Sequence, residues 1–231
     1  MCRMGPNAEF DEFAETYEKN LERPCALSGE TPDFYAEGRL RWCRERFGSR
    51  LPFETVLDFG CGIGGSFRHF FELVGCKSVI GIDPSSRSLQ VARDRYSEYD
   101  IRLSAPENFV PNGDLPFAFS NGVFHHIPPA GRLEALALVR AALAADGLFA
   151  FWENNPWNPV VAHGMTLNEF DRDAQMISPR AAVRLLKSAG FRISFVDFCF
   201  FFPRFARSLR GTERYLRKFP LGAQYLIAAQ K

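Results

Sequence analysis

The chain has 231 residues, 46% of them hydrophobic, and 28 Lys+Arg against 27 Asp+Glu give a net charge of +1. That length carries one α/β core, the charge balance supplies no global field for nucleic acid, and no run nears the ~18–20 apolar residues of a membrane span. The polar, acidic start MCRMGPNAEFDEFAETYEKN is unlike a signal peptide, and the cysteines at 2, 25, 43, 61, 76 and 199 form neither a C-x-x-C pair nor a zinc-spaced Cys/His cluster, so a reduced, cytoplasmic, metal-free protein is expected.

In chain order, residues 10–17 are predicted as a short amphipathic helix with Phe10, Phe13, Ala14 and Tyr17 on one face. Residues 21–32, with Pro24, Gly29 and Pro32, read as a loop, and 33–47 as a helix capped near Thr31 or Asp33. Strands are predicted at 55–59, 78–82, 101–103, 115–119 and 148–152, with helices at 66–74, 85–96 and 130–145 between them. Pro116 sits poorly in a central strand unless it lies at the strand's start. Strand and helix alternate, so right-handed crossovers and a parallel sheet follow. A long Asn- and Pro-rich loop is predicted over 153–165, and Ser178, Pro179 and Gly190 cap, start and stop a helix. A strand over 191–202, an inserted helix over 205–219 and a last, antiparallel strand over 222–229 complete the chain. Phenylalanine, 24 of 231 residues, hints at an aromatic-lined pocket or surface.

The chemistry concentrates just past the strands, where open α/β sheets bind ligands. The first strand runs into VLDFGCGIGG, residues 56–65. Glycines at such a turn allow positive φ and close approach of a ligand to the backbone, and the helix start behind them offers unpaired N–H groups. Gly60, Gly62 and Gly65 satisfy G-x-G-x-x-G, the dinucleotide pattern, while Gly60, Gly62 and Gly64 satisfy G-x-G-x-G with Asp58 two residues ahead. A carboxylate so close repels a pyrophosphate and suits a ligand with an ammonium and a sulfonium. Asp83 ends the second strand, where it can take both hydroxyls of a ribose or cap the next helix. Asn121 ends the fourth strand, and His125 and His126 follow it, histidine being the side chain best matched to proton transfer near neutral pH.

VLDFGCGIGG, VIGIDPS, SNGVFHHIPP and GLFAFWENNPWNP, in that order, resemble the motifs of class I S-adenosylmethionine-dependent methyltransferases. The resemblance spans about residues 10–231 and implies a doubly wound, seven-stranded, mostly parallel sheet with an antiparallel last strand and extra N-terminal helices. It implies a single domain, with a helical cap over 1–50, a cofactor-binding core over 51–152 and a substrate-side part over 153–231. The implied donor is S-adenosyl-L-methionine and the implied acceptor an O or N nucleophile of a small molecule, such as a natural product, saccharide or amphiphile. Asp58, Gly60, Cys61, Gly62, Gly64, Asp83, Pro84, Asn121 and Tyr17 are the expected cofactor residues. The family commonly places an acid after the third strand against adenine. Here Ser104, Ala105, Pro106 and Glu107 stand there, and Ser104, the Ala105 backbone or Glu107 takes that role.

His125, preferred over His126, is the expected base or substrate-orienting residue. Glu153, Asn154, Asn155, Trp157 and His163 are expected to face substrate. The arginines Arg207, Arg210, Arg214 and Arg217 fall on one face of the predicted inserted helix, either solvated or in peripheral contact with an anionic membrane. Two other readings stay open: a nicotinamide-dependent oxidoreductase, for which no Y-x-x-x-K pair or second domain is seen, and a binding module that holds the cofactor without chemistry.

Overall fold

A computed structural model describes residues 25–166 and 174–231. The helix predicted over 10–17, with Tyr17, lies outside the described residues. Helix α1 (Pro32–Phe47) starts on Thr31, whose hydroxyl accepts from the Phe34 amide. Strand β1 (Thr55–Phe59) leads through the glycine loop into α2 (Phe67–His69), which continues as a π-helix over Phe70–Val74 rather than as the regular helix expected, and stops at Gly75 in the left-handed region. Then come β2 (Ser78–Ile82), α3 (Ser86–Arg95), β3 (Ile101–Ser104), β4 (Leu115–Asn121), α4 (Arg132–Ala142), β5 (Leu143–Asn154), α5 (Pro159–Thr166), α6 (Pro179–Ser188), β6 (Arg192–Cys199), a 3-10 stretch (Arg204–Thr212), α7 (Glu213–Leu216) and β7 (Gln224–Gln230).

The seven strands lie in the order β3-β2-β1-β4-β5-β7-β6, with only β7 antiparallel to its neighbours. This is the expected doubly wound sheet. Its order reverses between β1 and β4, the crevice where such sheets hold ligands. Alternate strand residues feed two cores. Leu57, Phe149, Phe151 and Tyr225 pack with Leu136 and Val139 of α4 and Leu186 of α6. Val56, Phe117, Phe119 and Trp152 pack with Leu40 and Cys43 of α1, Phe67, and Leu89 of α3. Eight of the twelve largest fully buried side chains are phenylalanines, so the phenylalanine excess fills chiefly the core rather than a pocket.

Several boundaries differ from the sequence reading, each for a tertiary reason. The helix predicted over 130–145 gives up its last residues because Leu143 pairs with Leu115 in the sheet. Pro116 is tolerated because the β4–β5 register shifts between Leu115 and Phe117. The strand predicted to 202 stops at Cys199: Phe200 takes a φ of 63°, and the Glu213 carboxylate accepts from the amides of Phe200, Phe201 and Phe202, each at 3.1 Å. The helix expected over 205–219 is a 3-10 stretch followed by the short α7, so its arginines do not share one α-helical face. The loop expected over 153–165 is partly regular: Glu153 and Asn154 belong to β5, and α5 begins at Pro159.

The return into β7 depends on Gly222, where a Cβ would stand 2.5 Å from both the amide nitrogen and the carbonyl oxygen of Cys199. Backbone cannot yield there as a side chain would. Gly222→Ala is expected to cost roughly 1–3 kcal/mol in chemical denaturation, and an unchanged midpoint contradicts the close approach.

Candidate functional site

The crevice between β1 and β4 is assembled by backbone hydrogen bonds. The amides of Gly60 and Cys61 both donate to the Ile82 carbonyl, at 2.7 and 3.0 Å, tying the glycine loop to the end of β2. The Gly62 amide donates to Asp83 Oδ2 at 2.8 Å, and the Ser85 amide to Asp83 Oδ1 at 2.9 Å. Ser85, not Asp83, caps α3, its hydroxyl accepting from the Ser88 amide at 3.1 Å. Asp83 therefore stands at the tip of β2 with its carboxylate braced toward the loop. Gly60 and Gly64 have φ of 79° and 78°. A Cβ on Gly60 would meet Val123 at 2.2 Å, whereas one on Gly65 would meet nothing within 4 Å. The loop is thus closed against the segment after β4 at its start and open at its helix end. Cys61 is buried, and its sulfur lies 2.9 Å from where a Gly81 Cβ would stand, so only its backbone faces outward.

Asp58 lies on the α1 side of the sheet, buried in β1. Burial, with the Asp83 charge beside it and opposed by Arg39, pushes its pKa from an ordinary 3.8 up to about 8. Arg39 is a buried residue of α1 that the sequence reading missed; its Nη1 donates to Gln224 Oε1 at 3.1 Å, and Gln224 Nε2 donates to Asn154 Oδ1 at 3.0 Å. A charged residue on the helix face that carries Ala36, Leu40 and Cys43 is the signal that marked it. Asn121, at the end of β4, has a buried Oδ1 without a hydrogen-bond partner among the described residues. After β3, the Ser104 hydroxyl donates to the Ala105 carbonyl at 2.8 Å and the Ser104 carbonyl accepts from the Asp83 amide; Pro84 and Ala105 are half-buried, and Glu107 is exposed.

On the opposite side, Glu153 is buried with one oxygen accepting from the Phe124 amide at 2.8 Å and the other 2.5 Å from His125 Nδ1. His125 is buried and His126 half-buried, with ring centroids 4.2 Å apart. The backbone over 123–126 is a turn, not extended, which is why the two adjacent rings come together. His125 Cε1 lies 3.3 Å from where a Gly122 Cβ would stand, directly after Asn121.

The expected substrate-side residues divide. Glu153 is the buried partner of His125 rather than a loop residue. Asn155 is also turned inward: its Nδ2 donates to the carbonyls of Pro220 and Gly222, and its Oδ1 accepts from the Trp157 amide. Asn154 joins the Arg39–Gln224 chain. Trp157 is exposed, stacked 6.2 Å from Phe198, and His163 is exposed on α5.

Methyltransferase domains as a family match residues 56–147, the span from β1 into β5. The chain is 28% identical to a sterol 24-C-methyltransferase of Saccharomyces cerevisiae over 156 residues, 61% of this chain and 39% of that protein. It spans less than half the length of the curated relatives it matches. An S-adenosylmethionine-dependent methyltransferase of Thermotoga maritima superposes with a TM-score of 0.65 at 18% identity, covering 97% of this chain and 99% of that one. A geranyl diphosphate C-methyltransferase of Streptomyces coelicolor, solved with S-adenosyl-L-homocysteine, superposes with a TM-score of 0.59 at 17% identity, covering 82% and 75%. These structural likenesses establish a shared fold.

The raised pKa of Asp58 has a stability consequence. The folded chain holds a proton up to about pH 8 that the unfolded chain releases near pH 3.8. The stabilisation is complete below the lower value and is lost as pH rises through the upper one, at no more than ~1.4 kcal/mol per pH unit. Asp58→Asn, which cannot ionise, should flatten this part of a stability-versus-pH profile measured by denaturant titration, and an identical slope in the variant contradicts the assignment.

Proposed function

We propose that this chain is a class I S-adenosylmethionine-dependent methyltransferase, which transfers a methyl group from S-adenosyl-L-methionine to an O or N nucleophile of a small molecule. The observation that carries this reading is the pairing of Asp83, braced at the tip of β2, with the acid Asp58 beneath a glycine loop open at its helix end. Asp83 would serve the ribose of a dinucleotide equally, so the discrimination lies with Asp58: a pyrophosphate gains nothing from that second carboxyl group, whereas a ligand with an ammonium and a sulfonium beside its ribose uses both.

The residues fit such a ligand. A carboxylate has about four acceptor sites, so Asp83 can hold ribose hydroxyls while it keeps the Gly62 and Ser85 amides. The residues from Gly60 to Gly64, with the Cys61 backbone, would hold the methionine part, and Asn121, through its buried Oδ1, would add an acceptor. Asp58 holds its proton at neutral pH in the bare protein. An ammonium beside it favours the charged form, so binding expels that proton. Arg39, across the same polar chain, suits the ligand's carboxylate. Pro84, Ser104, Ala105 and Glu107 flank the adenine side, and Tyr17 is assigned to the cofactor's cover by family resemblance alone.

When bound, the donor supplies an already activated methyl, so the protein's work is positioning and proton removal. Glu153 accepts the Nδ1 proton of His125 and fixes that ring, which leaves Nε2 as the basic nitrogen. His125 would take the proton of the acceptor O–H or N–H, with His126 beside it, and the exposed Trp157 and His163 would meet the acceptor.

Two experiments test this. Calorimetry with S-adenosylhomocysteine and with NADH should show binding of the first only, with release of up to one proton at about pH 7 that Asp58→Asn abolishes. Asp83→Ala should weaken that binding by roughly 2–3 kcal/mol; NADH binding alone, or an unaltered Asp83→Ala affinity, rejects the donor assignment. With labelled S-adenosylmethionine and small-molecule fractions of cell extract, His125→Gln should lose about 10²–10⁴-fold in methyl transfer while keeping its S-adenosylhomocysteine affinity. A full rate in that variant removes His125 from the chemistry.

A further inference from the structure

Residues 204–221, between β6 and β7, carry six Arg/Lys and one Glu in a chain of net charge +1, so the remainder of the chain is net acidic. The one acid, Glu213, is turned inward onto the amides of Phe200, Phe201 and Phe202. Five of the eleven exposed large hydrophobic side chains among the described residues belong to this segment, with Phe205 at 91% exposure and Tyr215 at 73%. Isolated exposed apolar residues need no explanation, but a cluster of this kind marks an interaction surface.

The segment is held firmly from beneath. Arg210 pairs with Glu30 at 2.6 Å and lies over the Phe34 ring, the Arg204 amide donates to the Ser28 carbonyl at 2.8 Å, and Lys218 pairs with Asp197 at 2.8 Å. These contacts engage Arg210 and the Lys218 ammonium and leave Phe205, Leu209, Tyr215 and Phe219 exposed along the same segment as the exposed Arg204, Arg207 and Arg214. Exposed aromatic and aliphatic side chains interspersed with arginine along an anchored segment match the boundary between lipid headgroups and acyl chains, and the unbalanced positive charge matches anionic lipid. Nucleic acid would also draw the arginines, but Leu209 and Leu221 have no ring to stack on a base. No helix among the described residues is long and apolar enough to cross a membrane.

We infer that this segment seats the protein on the surface of an anionic bilayer, with Phe205 and Phe219 entering the interface and Arg204, Arg207 and Arg214 meeting lipid phosphate and carboxylate. Arg210, expected from sequence to take part, belongs instead to the internal scaffold. The segment joins the carboxyl end of β6 to the start of β7, and Gln224 pairs with Asn154 at the carboxyl end of β5. The surface is therefore on the same end of the sheet as the glycine loop, so a seated chain holds its site toward the membrane. The inference does not depend on the methyl donor.

The test is flotation of the full chain with vesicles of phosphatidylcholine, alone or with about a third phosphatidylserine. At least tenfold more protein should float with the anionic vesicles, and the excess should fall as salt rises from about 0.1 to 0.5 M. Arg207→Glu with Arg214→Glu should remove the excess. Phe205→Ser with Phe219→Ser should reduce it several-fold at unchanged charge, with melting temperature checked for both double variants. Equal flotation with and without phosphatidylserine overturns the inference. So does retention of the excess by the phenylalanine variant, which would indicate charge attraction alone, or binding to single-stranded DNA without flotation. Since S-adenosylhomocysteine binding is measured separately, failure here leaves the methyl-donor reading intact.

Discussion

The Asp83 carboxylate is the joint on which the candidate site depends. Its two oxygens receive the Gly62 and Ser85 amides, binding the glycine loop after β1, the tip of β2 and the start of α3 into one unit. Charge-assisted bonds to backbone amides are among the stronger hydrogen bonds available, and here they stabilise a loop with three glycines at positive φ. The same brace that shapes the loop also fixes the direction of the carboxylate, which the proposed reading assigns to ribose hydroxyls.

The sheet separates two kinds of chemistry. On the α1 side, Arg39, Gln224 and Asn154 form a hydrogen-bonded chain, with Asp58 within the electrostatic reach of Arg39 and its pKa raised chiefly by burial. On the other side, Glu153 fixes His125 in the core among apolar residues. The period-2 alternation of β5 puts Glu153 and Asn154 on opposite faces, so one strand end supplies a polar group to each side of the sheet.

Beyond the site, the region between β6 and β7 balances inward and outward charge. Glu213, Asp197 and Glu30 engage inward-facing amides and cations, so the remaining arginines and apolar side chains are presented by a stiff platform. A flexible loop would lose much of its binding free energy to ordering; this one is already ordered by contacts made for folding.

The sequence by itself determined the sheet. β1 and β2 begin and end where their apolar runs and glycines predicted, Ser178 and Pro179 start α6 as expected, and Asp58, Asp83 and the glycine loop were legible because spacing along a strand, turn and helix is a local property. What only the tertiary structure decided involves partners far apart in the chain. Glu153 read as a loop residue until His125, 28 positions away, was found on it. Asn155 read as substrate-facing until the carbonyls of Pro220 and Gly222 took its amide. Arg39 carried no motif, since its meaning comes from Asp58 and Gln224. The arginine stripe was an artefact of assuming an α-helix where the 3-10 winding, set by Glu213 and Arg210 bonding back to 200–202, divides the arginines between scaffold and surface. Local periodicity encodes which face of an element is apolar; only the fold brings distant polar groups within hydrogen-bond reach, and at such sites the chemistry is made.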